Sequence, residues 1–318
     1  MNKNITPTVE GGLLTAIAVI LGLASTYLPI VGVVIEFFCP VPFAVLTVRR
    51  GVKIGITSLA VSFMLLAMFT GPILATRIAL TLNVCGIILG YFIAKKFSTV
   101  KCFLATFTTS FISQILMVAF LAVAMDINFA DMEITTLKET FEESFAMYES
   151  VGIDQATLNE MKKQTSQVIE VMAYLMPTIL LLLALINAIA CYITSKWIFK
   201  KLKIEFVPPL PNFSQWRLPV IFLYLTAFAI IGLYWGGTRE WELLYTVSIN
   251  TLIFSMGAGL IQGYSILSFV ADKYDISKFW RRIIYLFILF NGLLLQILSF
   301  IGLFDMLFDY RKKYFGEK

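Results

Sequence analysis

The sequence predicts an all-α integral membrane protein with eight or nine spans. Three observations carry this. Of the 318 residues 59% are hydrophobic and 14% charged, with mean hydropathy +0.85; soluble domains carry about a quarter charged residues. Apolar runs of about 18 residues or more, long enough to cross the hydrocarbon core as helices, recur along the whole chain. No separate polar domain interrupts them, so backbone groups must be satisfied within helices.

The first span is Gly11 to Pro29 and the second Val31 to Val48. The second begins in "IEFFCPVPFAVLTVRRG", where Pro40 and Pro42 oppose a helix interior. Regular helix is therefore expected from near Pro42, a tolerated early position, with residues 30–39 as an irregular lead-in. Irregular backbone at that depth is stable only where protein or a cavity covers it. The third span ends at Gly71-Pro72, the fourth runs from about Ile73 to Ala94, the fifth from Cys102 to Ala124 and the sixth from about Val168 to Thr194. Spans at Pro219 to Tyr234, Leu243 to Phe269 and Ile283 to Phe304 complete the set.

Charge sets the expected orientation. Arg49/Arg50/Lys53, Lys95/Lys96/Lys101 and Lys196/Lys200/Lys201/Lys203 fall on one side if six spans alternate. By the positive-inside rule that side is the cytoplasm, and the N-terminus joins it. The segment 126–167 then faces outside. It holds nine acidic residues and three lysines, net −6, which against +5 for the chain leaves +11 elsewhere. Leu137, Phe141 and Phe145 recur at helical spacing, Gly152 interrupts, and Asp154 is placed to cap a second helix. A helical hairpin is expected there, either a solvated cap or a lid. Nine full spans would strand the basic tail "DYRKKYFGEK" outside. A turn back near Asn291-Gly292 would avoid this. Prolines at 208, 209, 211 and 219 mark 204–219 as an extended cytoplasmic connector, with Trp216 and Arg217 at the membrane interface.

Absences narrow the chemistry. There is no histidine, the four cysteines are scattered, and no phosphate loop or nucleophile elbow occurs. The expectation is no enzyme, no cofactor, no metal and no nucleic-acid partner. Arg77, inside an apolar run near the outer end of the fourth span, is the most informative residue. A cation there must pair, line a polar cavity or snorkel to the headgroups. Glu36 and an anionic solute are its candidate partners. Asn83 and Asn187 are further ligand candidates, with Gln262 and Asn291 secondary; buried amides also bond neighbouring helices. Gly12/Ala16 and Ala18/Gly22 are small-xxx-small pairs suited to close helix approach.

Residues 11–203 resemble the substrate-binding S components of energy-coupling factor transporters. The match lies in six spans with both ends inside, the proline-bearing second span, the Arg49-Arg50-Gly51 turn and the Gly71-Pro72 break. The whole chain resembles the YybS-like family of uncharacterised bacterial membrane proteins, through "LPNFSQWRLP" (210–219), "GLFDMLFDYRKK" (302–313) and the acidic segment. The first resemblance implies a six-helix membrane domain (1–203) binding a small solute. It would have no ATPase of its own, would dock through the first helix on a transmembrane coupling subunit driven by ATPases, and would be followed by a C-terminal helical region (220–318). The opposing reading is a membrane scaffold or regulator acting through partners.

Overall fold

The computed structural model describes residues 7–125, 129–150, 153–204 and 212–315. They are helical throughout, with no strand among them. Among the described residues eight helical stretches are long and apolar enough to cross a membrane, and one further pair is sharply bent. The chain divides into two compact units, Met1–Thr165 with Ile179–Pro209, and Ser166–Thr178 with Leu210–Lys318.

The first unit contains α1 (Pro7–Tyr27), α2 (Val31–Glu36), α3 (Val41–Arg50) and α4 (Val52–Thr70). After them come α5 (Pro72–Arg77), a π-helical turn (Ile78–Asn83), α6 (Val84–Ala94), α7 (Thr99–Met125) and α8 (Phe129–Ser150). The second span is broken where the prolines require it. Pro42 sits in the first turn of α3, because its missing N–H is one of the helix-end donors without an intrahelical partner. The lead-in departs from expectation: residues 31–36 form a short helix, set at an angle by Ile30 at φ 63. Gly51 and Gly71, at φ 90 and 81, end α3 and α4 in a conformation that favours glycine. Gly86 and Gly90 let α6 lie directly on α3. A Cβ on the former would meet the Pro40 carbonyl, and one on the latter the Ala44 carbonyl at 2.6 Å.

At one end of this unit Glu10 accepts from Arg49 at 2.9 Å and from Arg50 at 2.6 Å. The two arginines are thus fastened to the start of α1. At the other end Tyr27 donates to the Phe69 carbonyl.

Helix α9 (Gln155–Lys201) has 47 residues, a rod of about 70 Å at the usual rise. Asp154 caps it as expected, accepting from the Thr157 N–H at 3.0 Å. The hydrogen bond from that N–H, with one from the Thr157 hydroxyl, holds the Asp154 carboxyl below its ordinary range. In α8, Phe141 and Phe145 stack at 6.4 Å, and Lys162 of α9 lies over Phe145 at 5.9 Å. The described part of the acidic segment is therefore two helices that meet at Phe145 and Lys162; Gly152 lies outside the described residues.

The second unit holds α10 (Ile221–Thr238), α11 (Glu242–Lys273), α12 (Lys278–Leu289), α13 (Gly292–Phe308) and α14 (Tyr310–Phe315). Of the connector, residues 205–211, with three of its prolines, lie outside the described residues. The remainder is extended apart from one 3-10 turn, Phe213–Gln215. Helices α10 and α11 run antiparallel, with Thr226 bonded to Ser255 and Gly232 against Ser248. The expected ninth span is broken: α12 and α13 meet at 104°, and the Asn291 side chain caps the second helix by accepting from Leu294 N–H.

Contacts give the course of this pair. Arg281 pairs with Asp272, and Tyr264 donates to the Tyr285 carbonyl, so α12 runs back along α11. Asp305 then meets Gln262, and Arg311 reaches Ser265 and lies 5.8 Å over Phe269. The chain has turned and advances with α11. Reporters at position 212 and after residue 315 are therefore expected on the same membrane face. Cysteine labelling from opposite faces would overturn this course.

Candidate functional site

The N-terminal unit brings Arg77 and Glu36 together. Pro72 opens α5, whose last residue is Arg77, and Glu36 ends α2; their side chains meet at 2.7 Å. The pair is partly open, with 38% of the arginine and 22% of the glutamate side chain exposed. Of the three fates open to Arg77, pairing is the one observed.

Directly below it the backbone is unusual. Residues 78–83 form a π-helical turn inside an otherwise continuous helix, a local widening frequent at functional positions. The Thr81 hydroxyl bonds back to the Arg77 carbonyl, and the Asn187 amide donates to the freed Thr81 carbonyl at 2.7 Å and to Ser110 at 2.9 Å. Asn187 thus stitches the widened turn to α7 and α9. Asn83 is different. It is 0% exposed, yet neither its oxygen nor its nitrogen has a hydrogen-bond partner among the described residues. A buried polar group of this kind calls for a water, an ion or a ligand. It lies six residues past Arg77, roughly 9 Å along a helix axis.

The small-residue pairs of α1 separate. Ala18 and Gly22 are buried, the latter against Leu66 and Ile78. Gly12 and Ala16 are exposed, and nothing lies within 4 Å of a Cβ at Gly12. Close backbone approaches lie elsewhere, among them Gly86/Gly90 and Gly259/Gly263, both G-x-x-x-G spacings that could have been read directly.

The C-terminal unit holds a second polar centre. Arg311 is 1% exposed and Asp305 5%. The Asp305 carboxylate accepts from Gln262 at 2.7 Å and from the Tyr310 N–H at 2.9 Å, and lies 3.7 Å from the Arg311 guanidinium. That guanidinium also donates to the carbonyls of Ser214 and Trp216 and to the Ser265 hydroxyl. Gln262 accepts from the Leu218 N–H at 3.0 Å, and Arg217 pairs with Asp309. Residues 214–218 and 305–311, some ninety positions apart, are therefore joined in one polar centre. Gly302 permits it: a Cβ there would fall on the Gly259 carbonyl and the Gly263 nitrogen.

A third feature lies at Pro177, inside α9. Proline removes one helix bond and pushes the preceding turn apart. Asn250 fills the gap, its oxygen accepting from Thr178 N–H at 2.9 Å and its amide donating to the Tyr174 carbonyl. No group of three or more potential metal ligands occurs among the described residues.

A curated relative from Bacillus subtilis (strain 168), "Uncharacterized protein YybS", is 25% identical over 318 residues, covering 96% of this chain and 97% of the relative. No solved structure matches. The family model for "Predicted membrane protein (DUF2232)" matches residues 16–306, and the chain belongs to that family.

Proposed function

We propose that the N-terminal unit is a small-solute-binding transport component of the cell membrane, with its N-terminus and basic turns cytoplasmic. In this reading it lacks an ATPase of its own and works with a transmembrane coupling subunit and ATPases. The observation that carries the reading is Asn83. A fully buried amide with four unused hydrogen-bonding positions, on a π-helical turn beneath the Arg77–Glu36 pair, suits a polar ligand. The ion pair would act as a gate that a solute carboxylate or phosphate opens by replacing Glu36 on the guanidinium. The resemblance of residues 11–203 to S components supports the assignment, and the open Gly12/Ala16 face of α1 leaves room for a partner helix.

Native mass spectrometry of gently purified protein tests this. The wild type is expected to retain a small polar molecule, and Asn83→Leu to lose it. Arg77→Gln is expected to weaken retention roughly tenfold to a hundredfold, the worth of one charge-assisted hydrogen bond. Arg77→Lys should recover only part, because a point charge cannot reproduce a planar fork. Purification with protein partners and no small molecule would instead identify a scaffold or regulator.

A further inference from the structure

A groove of about 450 Å³ opens between α6 and α7, lined by Ile88, Phe92, Lys101, Leu104, Ala105, Thr108 and Thr109. It lies away from the Arg77–Glu36 pair. Its walls are apolar except for two threonines and one cation, and the cation sits near the α6–α7 turn. Lys101 lies 5.6 Å over the Phe97 ring, which holds the ammonium beside the mouth instead of leaving it to wander in solvent. The same turn carries Lys95 and Lys96, both exposed. No acidic residue occurs anywhere from Phe37 to Met125, although seven lysines and arginines do. Among the described residues Lys101 forms no ion pair. The groove thus offers an apolar trough ending in positive charge that its own helices do not neutralise.

We propose that this groove binds an anionic phospholipid, its acyl chain along Ile88, Leu104 and Ala105 and its phosphate on Lys101. The occupant follows from the charge. An apolar trough alone would take any lipid tail, but a cationic mouth on a basic turn selects a negative headgroup, and basic recesses between membrane helices are suited to such lipids. Thr108 and Thr109 supply hydroxyl donors farther along the groove, within the apolar run. The groove keeps a lipid because Ala105 leaves the space a larger side chain would occupy.

The test uses the full-length protein in mild detergent with dioleoyl phosphatidylglycerol or dioleoyl phosphatidylcholine added, and native mass spectrometry to count bound lipid. The wild type is expected to hold phosphatidylglycerol in preference. Lys101→Gln should reduce that preference about fivefold, the worth of one basic residue near a headgroup. Ala105→Phe, which fills the trough, should abolish binding of both lipids while the elution volume in size-exclusion chromatography stays unchanged. Equal retention of the two lipids by the wild type would overturn the proposal. So would undiminished phosphatidylglycerol binding by Ala105→Phe. A photoreactive residue at Thr108 is expected to cross-link lipid in native membranes; capture of a protein helix in its place would also overturn it.

Discussion

Arg311→Met is expected to lower stability by about 3–5 kcal/mol, the usual result of removing one partner from a buried ion pair. The reason is what remains. Asp305 would stay buried with the Gln262 amide and the Tyr310 N–H as donors but without its cation, and the carbonyls of Ser214 and Trp216 would lose theirs. Arg217→Gln should cost far less, about 0–1 kcal/mol, since its pair with Asp309 is largely exposed. Thermal unfolding in detergent separates the two. Combining Arg311→Met with Asp305→Asn should restore part of the loss, because the remaining oxygen can still accept and no charge is left buried. A double variant as unstable as the single would show that the carbonyl contacts to residues 214–216, and not the charge pair, hold this centre together.

Asn250→Leu is the second large effect, about 2–6 kcal/mol, from two backbone groups left unsatisfied at about 1–3 kcal/mol each. The native amide stands between the Tyr174 carbonyl and the Thr178 N–H, which would bond one another in an uninterrupted helix. Pro177→Ala removes the obstruction, so in that background Asn250→Leu should cost only about 1 kcal/mol. Measured losses that add without interaction would mean that Asn250 is not repairing the proline break.

The Asp154 cap, the break before Pro42 and the Gly71-Pro72 corner were legible because each follows from local rules, while the turn at Asn291 was one alternative, raised by the charge of the tail. Proline forbids a donor, glycine permits a positive φ, and aspartate or asparagine caps the helix that follows it. The Arg77–Glu36 pair was one of the alternatives open at that stage, because an isolated cation in an apolar run asks for a partner. The short helix at 31–36 was missed, as six residues carry too little pattern to be seen. Arg311 was missed for a different reason. In "DYRKK" it reads as one more cation of a solvated tail, and only the packing of α13 on Gly259 and Gly263 brings it to the connector's carbonyls. Asn250 likewise has no local signature until Pro177, over seventy positions earlier, is placed beside it. The Glu10 contact with Arg49 and Arg50 was hidden because those arginines already had a sufficient explanation in topology.

The bend between α12 and α13 bears on how the chain is made. Helix α12 has twelve residues, opens with a lysine and two arginines, and buries none of its side chains. Following α11 in the chain, it has neither the length nor the apolarity to settle in the bilayer as an independent stop-transfer segment. Its partner α13 finds a seat only on an α11 that has already been inserted. Helix α13 is therefore expected to settle by docking on a finished helix, and a nascent chain halted before Gly292 would present the Gly259–Gly263 surface to lipid and quality-control proteases as an unfilled seam.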